Sequence, residues 1–447
     1  MAATLARRIA VEVLESAERR KSYVNLALNS RLTADLTKED RARITDLVYG
    51  TSRHLGTIDR HLAPHCRRRL QDLPGPIRAI LRLALYEILY TQTPPPVAVD
   101  QAVELAKIYG HRGTASLVNG VLRSLLRKGI APVPSLAEDP IGHIAITHAH
   151  PPWLVARWVK RFGAEFAASL CRANNEPAPT TIRVNTLLTT RERLASDLAE
   201  RGIDAAATAL SPHGLSIKGF DRLADLDLFT QGHFTVQDES SMLVAPALEP
   251  QSGDFIVDLC GGPGGKTTHL AELMENRGRI LALDIHRHKL ALLQQTCQRL
   301  GIQCVEPLLC DARYLLEKRP ELAGQVQHVL IDAPCSGLGV LRRRPDARWR
   351  KAPGEPAALA KLQRELLTIG MRLLAKGGRL VYSTCSFEPE ETLDNVAWLL
   401  ANFSLRPVDL ADLLNVESAV ADPPGTLTLF PHTHGTDGFF LAAFDSY

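Results

Sequence analysis

No two cysteines of this 447-residue chain stand in a C-x-x-C spacing, and the eight present (66, 171, 260, 297, 304, 310, 335 and 385) are scattered. That excludes the dense disulfide framework of a small secreted protein; a reducing compartment, the cytoplasm, is the expected location. No run of about 18 apolar residues occurs, so no hydrophobic helix is expected to span a bilayer and no membrane partner is expected. Residues 1–20 carry Arg7 and Arg8 but also Glu12, Glu15 and Glu18, without a continuous apolar stretch, and do not read as a secretory signal. Internal repeats and low-complexity tracts are absent. Net charge is small as well: 52 Lys and Arg against 49 Asp and Glu leave +3.

What is present is an ordinary globular composition, 45% hydrophobic and 23% charged, which excludes disordered and fibrous classes. The length predicts two to four domains. The small net charge is unevenly spread. Residues 1–135 hold 21 basic and 12 acidic side chains, a net +9, and the remainder is net −6. A basic module joined to an acidic body predicts a polyanionic partner for the former.

Residues 1–128 read as all-helical. Ile77, Ile80, Leu81, Ala84, Leu85, Ile88 and Leu89 recur at three- and four-residue spacing, and Thr93-Pro94-Pro95-Pro96 ends that helix. Similar periodicity runs over 6–14, 41–55, 99–108 and 117–126. Gly129, Pro132, Pro134 and Pro140 mark 129–140 as a linker. Residues 141–235 mix helix (152–161, 192–201) with short strand-like runs such as 181–184, a mixed α/β connector. From 236 to 447, β-rich runs at 255–259, 280–284, 303–309, 326–331, 379–383 and 438–444 alternate with helices, which predicts a parallel, doubly wound α/β sheet.

Residues 255–267 read as strand, glycine-rich turn and helix start, the device that brings backbone amides close to a ligand. A P-loop needs glycine at 260, where Cys260 stands; a dinucleotide turn needs glycine at 267, where Thr267 stands. A nucleoside-binding methyltransferase turn fits throughout, with Asp258 ending one strand and Asp284 the next, placed for ribose hydroxyls. Val329-Leu-Ile-Asp332 also matches a Walker B carboxylate and keeps a nucleotide hydrolase as an alternative. Asp332-Ala-Pro-Cys335-Ser-Gly-Leu-Gly339 sets a carboxylate and a thiol three residues apart just past a strand, and Cys385 follows the next strand. Open α/β sheets bind ligands at that end.

Together these residues resemble the S-adenosylmethionine-dependent RNA cytosine-C5 methyltransferases, and within them the bacterial Sun-type (RsmB) 16S ribosomal RNA enzymes. The resemblance spans about 140–447 through Arg183-Val-Asn-Thr186, Val236-Gln-Asp-Glu-Ser-Ser241, the glycine turn, Cys310-Asp311-Ala312, Asp332-Ala-Pro-Cys-Ser-Gly337, Arg342-Arg-Arg-Pro-Asp346, Tyr382-Ser-Thr-Cys-Ser386 and Asp437-Gly-Phe-Phe440. Residues 1–128 resemble the NusB-type RNA-binding fold through Leu47-Val-Tyr-Gly50, 81–89, 102–107 and Val118-Asn-Gly-Val-Leu-Arg123.

The resemblance implies a Rossmann-like methyltransferase sheet, mostly parallel with an antiparallel last strand, and S-adenosylmethionine held by Cys260, Gly261, Gly262, Pro263, Gly264, Gly265 and Lys266. It further implies Asp284 on the ribose, Asp311 on the adenine, and Asp332 near the methyl group and the target base. Cys385 is implied as nucleophile and Cys335 as the thiol of product release; 16S ribosomal RNA is the implied partner. Gly261-Gly262 replaces the usual Ala-Ala, and Arg344 stands where His is common. Arg342, Arg343, Arg344, Arg348 and Trp349 form a basic cluster beside an aromatic, expected to contact RNA, with a solvated basic loop as the alternative. No metal is expected, and the chain is expected to be a monomer. An inactive RNA-binding assembly factor remains a further alternative.

Overall fold

Apolar spacing in the first 128 residues produces an all-helical body in the computed structural model, which describes residues 4–33, 35–418, 420 and 423–447. Its helices are Leu5–Arg19, Val24–Asn29, Lys38–Arg53, Leu55–Leu62, Gly75–Tyr90, Pro95–Ile108 and Arg112–Lys128. Helix Gly75–Tyr90 is central: Ile77, Ile80, Leu81, Ala84 and Leu85 are each at most 2% exposed and pack with Ile44, Leu47, Val48, Val118 and Leu122. Thr37 caps Lys38–Arg53 by accepting from the Asp40 amide at 3.1 Å. The expected single helix over 41–55 breaks at His54.

The chain divides into two units, Met1–Pro177 with Leu341–Pro353, and Ala178–Val340 with Gly354–Tyr447. The helical unit therefore extends past the expected boundary at 128. Helices Pro140–Thr147, Pro152–Phe162 and Ala164–Ala173 belong to it; Ile144, Leu154, Val155, Trp158 and Leu170 are buried, and Thr57 Oγ1 donates to the Ile146 carbonyl. The expected linker is tied down too, with Arg60 donating to the Pro132 carbonyl at 3.2 Å.

The second unit holds two sheets. In the smaller, β1 (Thr180–Val184), β2 (Asp204–Ala207), β3 (Gly214–Lys218) and β4 (Phe234–Val236) pair antiparallel in the order β2-β3-β1-β4. In the larger, β5 (Phe255–Asp258), β6 (Arg279–Asp284), β7 (Val305–Leu309), β8 (Val326–Asp332) and β9 (Leu374–Thr384) are parallel neighbours. Strand β10 (Leu405–Pro407), β11 (Thr426–Leu429) and β12 (Phe439–Ser446) complete it; β12 runs antiparallel to β9. The order β10-β12-β9-β8-β5-β6-β7, with β11 on β12, is the expected mostly parallel sheet with an antiparallel last strand.

Successive residues alternate between two buried faces. Val257, Leu281, Leu283, Val329, Ile331, Leu380 and Tyr382 fill one core, and Ile256, Ile280, Ala282, Leu330 and Val381 the other. The chain winds from β5 outward to β6 and β7, then returns to β8 on the opposite side of β5. That reversal opens a crevice at the carboxyl ends of β5 and β8, and it fixes where the site lies. Among the described residues, no helix is long and apolar enough to cross a membrane.

Candidate active site

Strand β5 ends at Asp258, and the chain turns into helix Gly265–Leu273. Gly264 has φ +111°, open to glycine. A Cβ on Gly262 would lie 2.7 Å from Asp284 Oδ2 and 2.7 Å from Lys289 Cβ, so only glycine lets the turn approach β6 this closely. Asp258 anchors the turn, accepting from Thr267 Oγ1 at 2.7 Å and the Cys260 amide at 3.2 Å. Burial lifts its carboxyl to about 6, with the Asp332 charge adding to the effect. Burial and the surrounding carboxylates push the Cys260 thiol well above its usual range, which keeps it protonated.

Gln237, Ser241, Asp258, Cys260 to Lys266 and Asp332 line a cavity of about 140 Å³. Small residues on one side and hydrogen-bonding groups on the other suit a polar ligand laid against backbone. Asp284 lies behind Gly262, its Oδ1 accepting from the His286 amide at 2.8 Å and its Oδ2 3.3 Å from Lys289 Nζ. Asp311, just past β7, is held by a fork from Arg313, with Nη2 to Oδ2 at 2.7 Å. That contact keeps its carboxyl below the usual range.

In the β8–β9 register Asp332 lies opposite Ser383, so the segments that follow run side by side. Cys335 and Cys385 thereby meet, their sulfurs 3.1 Å apart. Asp332 Oδ1 accepts from Ser383 Oγ at 2.9 Å, and Oδ2 pairs with Lys266 Nζ at 2.7 Å. The ammonium also lies 5.2 Å from the centre of the Phe439 ring. The Cys335 thiol is pushed well above its usual range by its contact with Cys385, by burial and by the nearby Glu391 charge. The Gly339 amide donates to the Cys385 carbonyl at 2.9 Å, and the Gly438 amide to the Gly339 carbonyl at 2.8 Å. Three segments far apart in sequence are thus joined around the thiols.

The basic cluster lies in 341–353, within the helical unit. Arg348 is 0% exposed and donates to the Ala149 carbonyl (3.1 Å), the Asn174 carbonyl (3.1 Å) and Asn175 Oδ1 (2.8 Å). Arg342 is also buried, donating to the Pro177 carbonyl at 3.2 Å. Trp349 packs on Gly56, where any Cβ would fall 2.3 Å from the ring. The segment expected to be either RNA contacts or a solvated loop is instead largely knitted into helices. Arg343 is half-buried, and Arg344 is exposed, 5.8 Å from the Tyr23 ring centre.

Five residues given no role from the sequence build the site or its support: Gln237 and Ser241 in the cavity, Ser383 on Asp332, Glu391 behind the cysteines, and Arg183. Arg183, wholly buried on β1, pairs with Glu272 (Nη2 to Oε1 2.7 Å) and donates to the Gly265 carbonyl at 2.5 Å. Its position in Arg183-Val-Asn-Thr186 was the available signal. Among the described residues no group of three or more His, Cys, Asp or Glu is placed to hold a metal ion.

The family model described as 16S rRNA methyltransferase RsmB/F matches residues 245–445. The NusB family matches 4–127, and an RsmF/B-like ferredoxin-like domain matches 150–222. The probable ribosomal RNA small subunit methyltransferase B of Bacillus subtilis (strain 168) is 38% identical over 452 residues, covering 99% of both chains. The ribosomal RNA small subunit methyltransferase B of Sodalis glossinidius is 36% identical over 416 residues, covering 93% of this chain and 92% of its own. The crystal structure of PH0851 superimposes with a TM-score of 0.83 at 28% identity, over 99% of this chain and 98% of that one. NSun6 from Pyrococcus horikoshii, crystallised with SFG, gives a TM-score of 0.59 at 26% identity over 67% of this chain and 99% of its own.

Proposed function

The chain belongs to the RsmB/F family of 16S ribosomal RNA methyltransferases, and from that membership we propose that it methylates C5 of a cytosine in 16S ribosomal RNA through a covalent bond between Cys385 and C6. The observation that carries the reading is the pair of sulfurs 3.1 Å apart, at the carboxyl ends of adjacent parallel strands beside the glycine turn. Membership speaks against the nucleotide hydrolase, as does Lys266, which is paired with Asp332.

Cytosine C5 is a weak nucleophile. Addition of a Cys385 thiolate to C6 breaks the aromatic ring and makes C5 enamine-like, dividing one hard step into easier ones. The Cys335 thiol is pushed well above its usual range and stays protonated beside Cys385, and Cys385 is assigned as nucleophile from its place in Tyr382-Ser-Thr-Cys385. We assign Asp332 to N3 and the exocyclic amine: the amine donates to its carboxylate, whereas N3, where negative charge builds on addition, takes a hydrogen bond only from the protonated carboxyl, and Lys266 Nζ at 2.7 Å supplies positive charge beside it. S-adenosylmethionine, when bound, supplies an electrophilic methyl sulfonium. SFG is an analogue of that cofactor, and its presence with NSun6 supports the assignment.

The turn from Cys260 to Lys266 fits this group: Gly262 and Gly264 let it pack closely on Asp284, Lys289 and Leu293 behind it, and a Cβ on Gly265 would point toward Gln237 on the cavity wall. Asp284 is assigned to the ribose and Asp311 to the adenine. Once C5 is methylated its proton leaves to a water that Cys335, itself still protonated, positions beside the thiols. The sulfur–C6 bond then breaks and the C5–C6 double bond returns. The target cytosine must be unpaired or flipped out to reach the crevice. Arg343 and Arg344 remain as RNA contacts from the basic cluster.

The test is incubation of wild type, Cys335→Ala and Cys385→Ala with 16S ribosomal RNA and labelled S-adenosylmethionine. Cys385→Ala is expected to lose methyl transfer and the protein–RNA adduct on a denaturing gel, and Cys335→Ala to accumulate the adduct. An adduct persisting in Cys385→Ala would falsify the nucleophile assignment. Wild type that binds RNA without methylating it would point to the assembly factor.

A further inference from the structure

Behind the two thiols lies a carboxylate that the reaction above does not use. Glu391 ends the short turn Pro389–Glu391 and is 0% exposed. Four donors converge on it: the Ser336 amide (2.7 Å) and Gln363 Nε2 (3.3 Å) on Oε1, and Ser336 Oγ (2.5 Å) and Ser386 Oγ (2.6 Å) on Oε2. Among the described residues, no Lys or Arg is ion-paired with it. A buried carboxylate is costly unless hydrogen-bonded, and here three of the four bonds come from the two residues that directly follow the cysteines.

The surrounding groups are fixed in turn. Gln363 Nε2 donates to the Pro334 carbonyl at 2.9 Å, and Tyr382 OH donates to the Glu391 carbonyl at 2.6 Å. Asn395 Nδ2 donates to Gln363 Oε1 at 2.8 Å. A satisfied buried network of this kind is rigid. One side chain therefore holds the Cys335 and Cys385 segments at the peptide beside each sulfur.

We propose that Glu391 is a positioning residue that sets the spacing of the Cys335 and Cys385 sulfurs and thereby governs release of the methylated RNA. The inference rests on the proposed covalent reaction. Addition asks only that Cys385 reach C6, whereas release also requires the second thiol at its side. A glutamine keeps one acceptor oxygen for the Ser336 amide and Gln363 but turns an NH2 toward the two serine hydroxyls, which must reverse to accept from it while their own protons lose the carboxylate acceptor. Neutral bonds replace charge-assisted ones, the hold on the two segments weakens, and release slows more than addition.

Two measurements on the full chain test this. In the methyl-transfer assay, Glu391→Gln is expected to lower turnover about 10- to 100-fold, the range that misplacing reacting groups by an ångström costs, while the protein–RNA adduct accumulates. A merely structural defect would lower adduct and turnover together. The second needs no RNA: diamide, reduced as it takes two electrons and two protons from the thiols, is expected to form the Cys335–Cys385 disulfide in wild type, and the yield to be lost or strongly reduced in Glu391→Gln. Should Glu391→Gln not fold, Ser336→Ala, which removes one of the four bonds, is expected to show both effects in milder form. Full turnover in the variant that folds, or unchanged disulfide formation, overturns the proposal. Absence of any adduct in wild type and Cys335→Ala, with disulfide formation still dependent on Glu391, would sink the reaction and not the clamp.

Discussion

At Asp258 a single buried carboxyl links the glycine turn to pH. Its proton leaves at about 6 in the folded chain against 3.8 for an ordinary aspartate, so the unfolded chain ionises first. The stability tied to this proton is fully present below about pH 4 and is lost as the pH rises through about 6, by an amount of the order of 3 kcal/mol. Asp258→Asn removes that titration. Urea unfolding of both proteins at pH 4 and pH 7 should show the variant gaining on wild type by roughly this amount as pH rises; parallel pH profiles would rule the effect out. The thiols were legible at this scale, because each follows a strand of one parallel sheet and so must emerge at the same edge. The burial of Arg348 was not, since its acceptors at 149, 174 and 175 lie far away in the chain.

Among elements, the join between the small sheet and helix Gly265–Leu273 depends on Arg183 and Glu272, whose side chains are 0% and 1% exposed. Breaking a buried pair from one side leaves an uncompensated charge and costs about 3–5 kcal/mol. Arg183→Met is expected to lose that much by urea unfolding at pH 8 and less at pH 5, because burial already raises the Glu272 carboxyl and without Arg183 it can take up a proton. Adding Glu272→Gln should recover part of the loss. A double variant no more stable than the single one would show that the ion pair does not account for the defect. Helix Gly75–Tyr90 and the strands β5, β6 and β8 were readable from periodicity alone. The break at His54 was not, for the apolar pattern continues through it.

Over the whole molecule, the +9 charge of residues 1–135 belongs to the helical unit, and RNA binding by that unit is proposed to be mainly electrostatic. With about six phosphates contacted, affinity for 16S ribosomal RNA should fall on the order of 10³-fold between 50 and 200 mM salt. Arg67 and Arg68 are exposed; replacing both with alanine should reduce the slope of log affinity against log salt by up to about 2. A salt-independent affinity, or an unaltered slope in the double variant, would exclude this account. Filter binding across a salt series reads both.

Chain order and residue type were enough to establish a helical module, a parallel sheet and two thiols at one edge of it, because helical and strand periods and strand direction are local properties that leave a repeating mark. The reach of the helical unit to Pro177, its capture of Leu341–Pro353 and the carboxylate behind the cysteines leave no such mark. Each depends on which distant backbone carbonyl or hydroxyl comes within hydrogen-bond distance, and that is settled only when the chain has closed on itself.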